Sequence, residues 1–177
     1  MKTLLLVMAV ALPPILFAQS LKLPPSIERL AQTADETVDV TMDASMLQFA
    51  ERMLSDRNPD HVRARRVIRN LKSIYVKSYE FTREGAYSTA DVEDLRNQLR
   101  GPGWSRVVEV RSRRDGENVD VFMRSESGLV SSIVVICAEP RELTIVDLTG
   151  AIRPEDLQDL RGFAGLPKWD LAWRPTR

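Results

Sequence analysis

The sequence predicts an α+β domain: an antiparallel-dominated sheet, a four-stranded meander plus one or two further strands, with helices packed on it. Three observations carry this. The runs "WSRVVEVRSR", "NVDVFMRSE", "LVSSIVVICA" and "ELTIVDL" follow one another from residue 104 to 148 with very short connections. Short connections make antiparallel neighbours. Those connections hold turn chemistry: Asp115-Gly116 fits a type I′ hairpin, and Ser127-Gly128 and Pro140-Arg141 fit tight turns. Before them, segments with helical apolar spacing alternate with β-branched and aromatic runs.

From the start, "MKTLLLVMAVALPPILFAQS" has a basic residue at Lys2, an apolar run from Leu4 to Phe17, and small residues at Ala18 and Ser20. That is the layout of a secretory signal peptide, and the run is shorter than the ~20 apolar residues that span a bilayer. Residues 1–18 are expected to be removed, with Gln19 first in the mature chain and cleavage at Ser20 as the alternative. The cleavage region has no cysteine for lipid attachment. The expected location is periplasmic or secreted.

In "LPPSIERLAQTADE", Pro24 and Pro25 precede a short helix with Ile27, Leu30, Ala31 and Ala34 on one face, so 19–36 reads as a leading segment. "TVDVTMD" alternates as a strand. Asp43 can cap the next helix, where Met46, Leu47, Ala50, Met53 and Leu54 recur at helical spacing. Pro59 after Asn58 suits a new helix start. That helix has an apolar stripe of Ala64, Val67, Ile68 and Leu71, and its opposite face carries Arg65, Arg66, Arg69 and Lys72.

"SIYVKSYEF" is a strand by composition. Ser88 opens a helix with Val92, Leu95 and Leu99 on one face, stopped by "GPG" at 101–103. "RPEDLQDLRG" reads as a closing helix of a single domain over 37–164. The tail 165–177 has too many Pro and Gly residues for a long element, and Trp169 and Trp173 are expected to pack on the body.

The chain has 25 Lys and Arg against 25 Asp and Glu, a formal net charge of +0. Such a balance, together with export, argues against a nucleic-acid partner. One cysteine forms no internal disulfide, so packing must stabilise the domain in an oxidising compartment. Cys137 lies in a run with Ile133 and Val135 on one face and Val134, Ile136 and Ala138 on the other. Such a strand is buried on both sides, where a free cysteine acts as a small hydrophobe rather than a nucleophile.

The single His61 cannot build a zinc site without HExxH or paired cysteines, and it reads as exposed in a helical first turn. No GxSxG, P-loop or GxGxxG occurs, and Ser131-Ser132 lies inside a strand. Glu155, Asp156 and Asp159 at a helix start need only the macrodipole to explain them. Glu139, beside Pro140, is expected to face solvent. The residues thus nominate no catalytic, cofactor-binding or metal-binding site. Arg65, Arg66, Arg69 and Lys72 form the candidate interaction surface, exposed and without carboxylates at helical spacing, suited to an acidic protein patch or anionic lipid headgroups.

The stretches "LKSIYVKSYEF", "GAYSTADVEDLRNQLRGPGWSRVVEV", "VVICAEPRELTIVDLTGAI" and "LQDLRG", in this order, resemble the exported bacterial family known as domain of unknown function 4252. The similarity runs from about "VDVTMDASMLQFAERML" to Gly162. Some members of that family look like lipoproteins, whereas this chain lacks the cysteine they carry. The resemblance implies no activity or catalytic residues. Members of the family look often to be encoded near extracytoplasmic-function sigma factors and their anti-sigma partners, which suggests envelope signalling by association rather than by mechanism. The resulting expectation is a non-enzymatic envelope protein that binds another protein. A hydrolase without a recognisable motif and a peripheral binder of anionic membrane surface are the alternatives.

Overall fold

The computed structural model describes residues 21–126 and 129–152. The expected signal peptide and cleavage site, the Ser127-Gly128 turn, the helix over 153–162 and the tail with Trp169 and Trp173 lie outside the described residues.

Six strands form one antiparallel sheet in the order β1-β2-β6-β5-β4-β3. They are β1 (Glu36–Met42), β2 (Leu71–Glu80), β3 (Trp104–Arg111), β4 (Asn118–Glu126), β5 (Leu129–Glu139) and β6 (Glu142–Ile152). The last four are the expected meander. β2 adds to it beside β6, and β1 lies outside β2. The helices are α1 (Pro25–Glu28), continued by a 3₁₀ turn at Arg29–Gln32, α2 (Ala44–Met53), α3 (Pro59–Ile68) and α4 (Thr89–Gln98).

Local chemistry places each helix start. Asp43 Oδ1 accepts from the backbone N–H of Ser45 and Met46 at 2.8 and 2.9 Å. These bonds hold the Asp43 carboxyl below its ordinary value, the Ser45 side chain contributing most. Asn58 caps Asp60 N–H with Pro59 in the first turn. Ser88 and Asp91 form a reciprocal capping box on α4.

The sheet is covered on both faces. One face packs Val76, Ile133, Val135, Cys137 and Val146 against Leu47 of α2 and Val67 and Ile68 of α3. The other packs Tyr79, Phe122, Val134, Ile136 and Ile145 against Ile27 of α1, Leu30 of the 3₁₀ turn, and Val92 and Leu95 of α4. Alternation along β5 therefore sends apolar side chains into two cores, which is why the run reads apolar throughout.

Gly150 lets β6 approach the end of α3: a Cβ there would lie 2.7 Å from Leu71 Cα. Ala151 N–H then donates to the Asn70 carbonyl at 2.9 Å.

One turn differs from expectation. Pro140-Arg141 is a two-residue turn, with Glu139 paired to Glu142. Asp115-Gly116 is not the whole of its turn: β3 ends at Arg111 and β4 begins at Asn118. Ser112 causes the longer loop. Its hydroxyl donates to the Asp115 carboxylate at 3.0 Å and accepts from Asp115 N–H at 3.2 Å, while Ser112 N–H donates to the Glu117 carbonyl at 2.8 Å. Gly116, at φ +70°, closes the loop in the left-handed region.

Candidate interaction surface

The four cations expected on one helix face are split by the structure. α3 ends at Ile68, so Arg69 caps the helix and Lys72 stands on β2. Arg65 is drawn inward, its side chain 19% exposed, donating to Asp56 and to the Leu54 carbonyl. Arg69 pairs with Glu51 of α2. Both carboxylates come from outside α3, so spacing along that helix gave no sign of them. Arg66 and Lys72 are exposed and make no ion pair among the described residues. The result is two separate free cations and two that fasten α3 to α2 and the link between them.

The stripe read on α2 also divides. At about 100° per residue, Leu47 and Leu54 point one way, and Met46, Met53 and Phe49 form a separate arc roughly 80–160° around the helix from them, with Phe49 nearly opposite. Leu47 is buried and Leu54 packs against the core. Met46, Phe49 and Met53 are 49%, 64% and 71% exposed. Met46 and Met53, expected in the core, are therefore surface residues, and Phe49 joins them. The sheet offers α2 one line of contact, and an apolar arc this wide cannot all reach it.

Met42, Ser45, Met46, Phe49 and Ala50 line an open groove of about 450 Å³. Beside it, β1 is an edge strand with Val38 exposed and Val40 half-buried on the same face of the sheet. The signal for this surface was present in "MLQFAERML": six apolar residues around a ten-residue helix are more than one packed face needs.

A second concavity, of about 210 Å³, lies between α4 and the β5–β6 turn, where Tyr87, Arg96 and Glu139 meet. Glu139 is half-buried rather than freely solvated. Burial pushes its carboxyl up, and the nearby Glu142 and Glu117 add to this. Tyr87 donates to the carbonyls of Glu139 and Glu142 and so braces the turn. Burial, and after it the Glu139 charge, raises its hydroxyl to about 12. A phenol so held serves as a donor, not as a base.

Behind this cleft, Asp120 is fully buried on β4. Arg96 Nε of α4 reaches it at 2.7 Å, Arg111 Nη2 of β3 at 2.7 Å and Arg106 Nη1 at 3.4 Å. The arrangement ties α4 and the β3 edge to the sheet. All its components carry partners, since Arg106 and Arg111 also meet Glu109 and Arg96 meets Glu93.

The remaining sequence candidates take structural places. Cys137 is 3% exposed, and burial pushes its thiol up to about 12, away from reactivity. His61, in the first turn of α3, accepts Ser55 N–H at its Nδ1 at 3.1 Å. Ser132 donates to Asp147 at 3.1 Å, and Ser131 to the Arg124 carbonyl at 3.3 Å. Among the described residues no His, Cys, Asp and Glu side chains gather as a metal site, and no helix is long and apolar enough to cross a membrane.

Over residues 32–160 the chain matches the family model described as Domain of unknown function (DUF4252). It belongs to that family. No curated protein matches the chain. The DUF4252 match takes in all six strands and α2, α3 and α4, so the α2 strip lies inside the family domain. α1 and the residues before it lie outside the match.

Proposed function

We propose that this protein is a non-enzymatic, exported envelope protein that acts by binding another protein through the apolar strip of α2. Envelope stress signalling is the context suggested by the family. The observation that carries the reading is the exposure of Met46, Phe49 and Met53 on one flank of a well-capped helix. Exposed apolar side chains clustered in this way mark interaction surfaces. Methionine suits the role, because its unbranched, polarisable chain adapts to a partner's shape. The groove at Met42 and Phe49 would take apolar side chains from a helix or extended segment of that partner.

The hydrolase alternative has less to draw on: the cleft at Glu139 gathers one carboxylate beside a phenol already engaged with two carbonyls. The membrane alternative loses the continuous cationic face on which it depended, with Arg65 and Arg69 engaged by Asp56 and Glu51.

The test is site-specific photo-crosslinking in the native envelope, with the probe at position 49 and, as control, at exposed position 84. A discrete protein adduct formed from 49 and absent from 84 is the expected result. Lipid adducts from 49 would replace this reading with the membrane one. Equal patterns from both positions would overturn it.

A further inference from the structure

Asp147 poses a question that the sheet does not answer. Asp147 is 6% exposed, in the middle of β6, between Tyr75 of β2 and Val134 of β5. Two donors reach it: Ser132 Oγ at 3.1 Å and the backbone N–H of Leu21 at 3.3 Å. Both are neutral. Burial raises its pKa, and the two hydrogen bonds oppose that only in part. The charged groups on this face of the sheet and in the adjoining segments are paired elsewhere or exposed, and the buried Tyr79 hydroxyl, raised by burial, has no hydrogen-bond partner among the described residues. Lys77 pairs with Asp39, Arg124 lies 3.1 Å from Glu126, and Lys22 is exposed. Tyr75 is a neutral phenol with a raised pKa, burial being the main cause, and Glu28 is exposed. Among the described residues, no cation pairs with Asp147.

Buried carboxylates without a cation are costly, and a neutral amide offsets little of that cost. The backbone nitrogen that reaches Asp147 belongs to Leu21, held there because Leu21 and Leu23 pack against the core. Immediately before it stands Ala18-Gln19-Ser20, a small residue at each of the two positions that an A-x-A-like cleavage site requires.

We infer that export processing cuts between Ser20 and Leu21, and that the new α-ammonium of Leu21 docks onto the buried carboxylate of Asp147. In the cut, water adds across the peptide bond. The Ser20 carbonyl carbon takes the water oxygen and leaves as a carboxylate on the departing leader, and the Leu21 nitrogen takes both water protons to become an ammonium. A neutral N–H donor thereby becomes a cation beside a buried carboxyl that no cation among the described residues pairs. The uncut chain lacks that ion pair, so processing strengthens the docking of the leading segment on the domain. The apolar run and the small residues at 18 and 20 alone point to Gln19 or Ser20 as the first residue. The contact at Asp147 favours Leu21.

The pH dependence has a definite sign. In a chain with residues before Leu21, Asp147 has a raised pKa. Its stability is full below the ordinary carboxylate range and declines as pH rises through the raised value. In the chain starting at Leu21, the ammonium offsets that decline. Its own pKa, about 8 when free, is raised by the carboxylate, so its contribution is full below about 8 and lost as pH rises through the raised value.

The experiment has two arms. Intact-mass measurement of the protein recovered from the native envelope should give a chain starting at Leu21. Separately, chains starting at Leu21 and at Gln19, released from a fusion by a protease that leaves no extra residue, are melted across pH. The Leu21 chain should melt at least about 3 °C higher near neutral pH, and the gap should close in alkali. The α-amino group of the Leu21 chain, followed by NMR after isotopic methylation, should titrate at least one unit above about 8. Asp147→Asn should abolish the difference between the chains. A mature start at Gln19, equal melting of the two chains, or an α-amino group titrating at its free value would each overturn the inference.

Discussion

Strand β5 and helix α2 look alike in sequence and end in different surroundings. Each is apolar around more of its circumference than one buried face explains. In β5 both faces are used: Ile133, Val135 and Cys137 enter the core under α2 and α3, and Val134, Ile136 and Ala138 enter the one under α1 and α4. In α2 only Leu47 and Leu54 find the sheet, and Met46, Phe49 and Met53 remain in solvent. A strand in the middle of a sheet is offered two partners by geometry, whereas a helix lying on one is offered a single line of contact. Surplus apolar character in a helix therefore asks for a partner that the fold does not supply.

The comparison can be broken most severely at the point that seats α4 on the sheet. Asp120→Ala takes from buried Arg96 its nearer carboxylate, leaving only Glu93 at 3.5 Å, and a loss of about 3–5 kcal/mol is expected, read by denaturant unfolding. A loss under 1 kcal/mol, on the order of an exposed ion pair, would mean that α4 does not rest on this network. Ile136→Ala, inside the doubly buried strand, should lose about 2–5 kcal/mol in the same measurement. Were it tolerated at no cost, the second core would not be as closely packed as its burial indicates.

Smaller changes sharpen the contrast. Cys137→Ala should cost about 1 kcal/mol, and a bulky thiol reagent should label Cys137 only after unfolding, because burial holds the thiol up to about 12. Rapid labelling of the folded protein would reverse that assignment. Arg65→Gln should cost about 1 kcal/mol through its lost bond to the Leu54 carbonyl. Arg66→Gln, at the next position but exposed, should stay within about 0.5 kcal/mol. Equal effects would show that Arg65 does not fasten α3 to the end of α2.

Much of this fold was legible because its signals are local. Strand alternation, the caps at Asp43, Asn58 and Ser88, and the two-residue turn at Pro140-Arg141 all depend on neighbours within a few positions. The features that escaped depend on distant partners. Arg65 and Arg69 looked free because Asp56 and Glu51 belong to other elements. Asp120 sits in an alternating run that would suit a solvated face until α4 delivers Arg96 to it. The Asp115-Gly116 turn was lengthened by Ser112, whose hydroxyl captured Asp115. Met46 and Met53 carry the right periodicity for a core, but periodicity gives a direction and not the width of the surface waiting to receive it.

The central claim is that the strip on α2 is surplus to folding, and the melting of a Phe49→Ser/Met53→Ser double variant tests it most directly. With both side chains more than half exposed, the account predicts a change within about 0.5 kcal/mol per site, which leaves the melting temperature close to that of the parent. A fall approaching that of Ile136→Ala would contradict it and place the strip inside a packed part of the molecule.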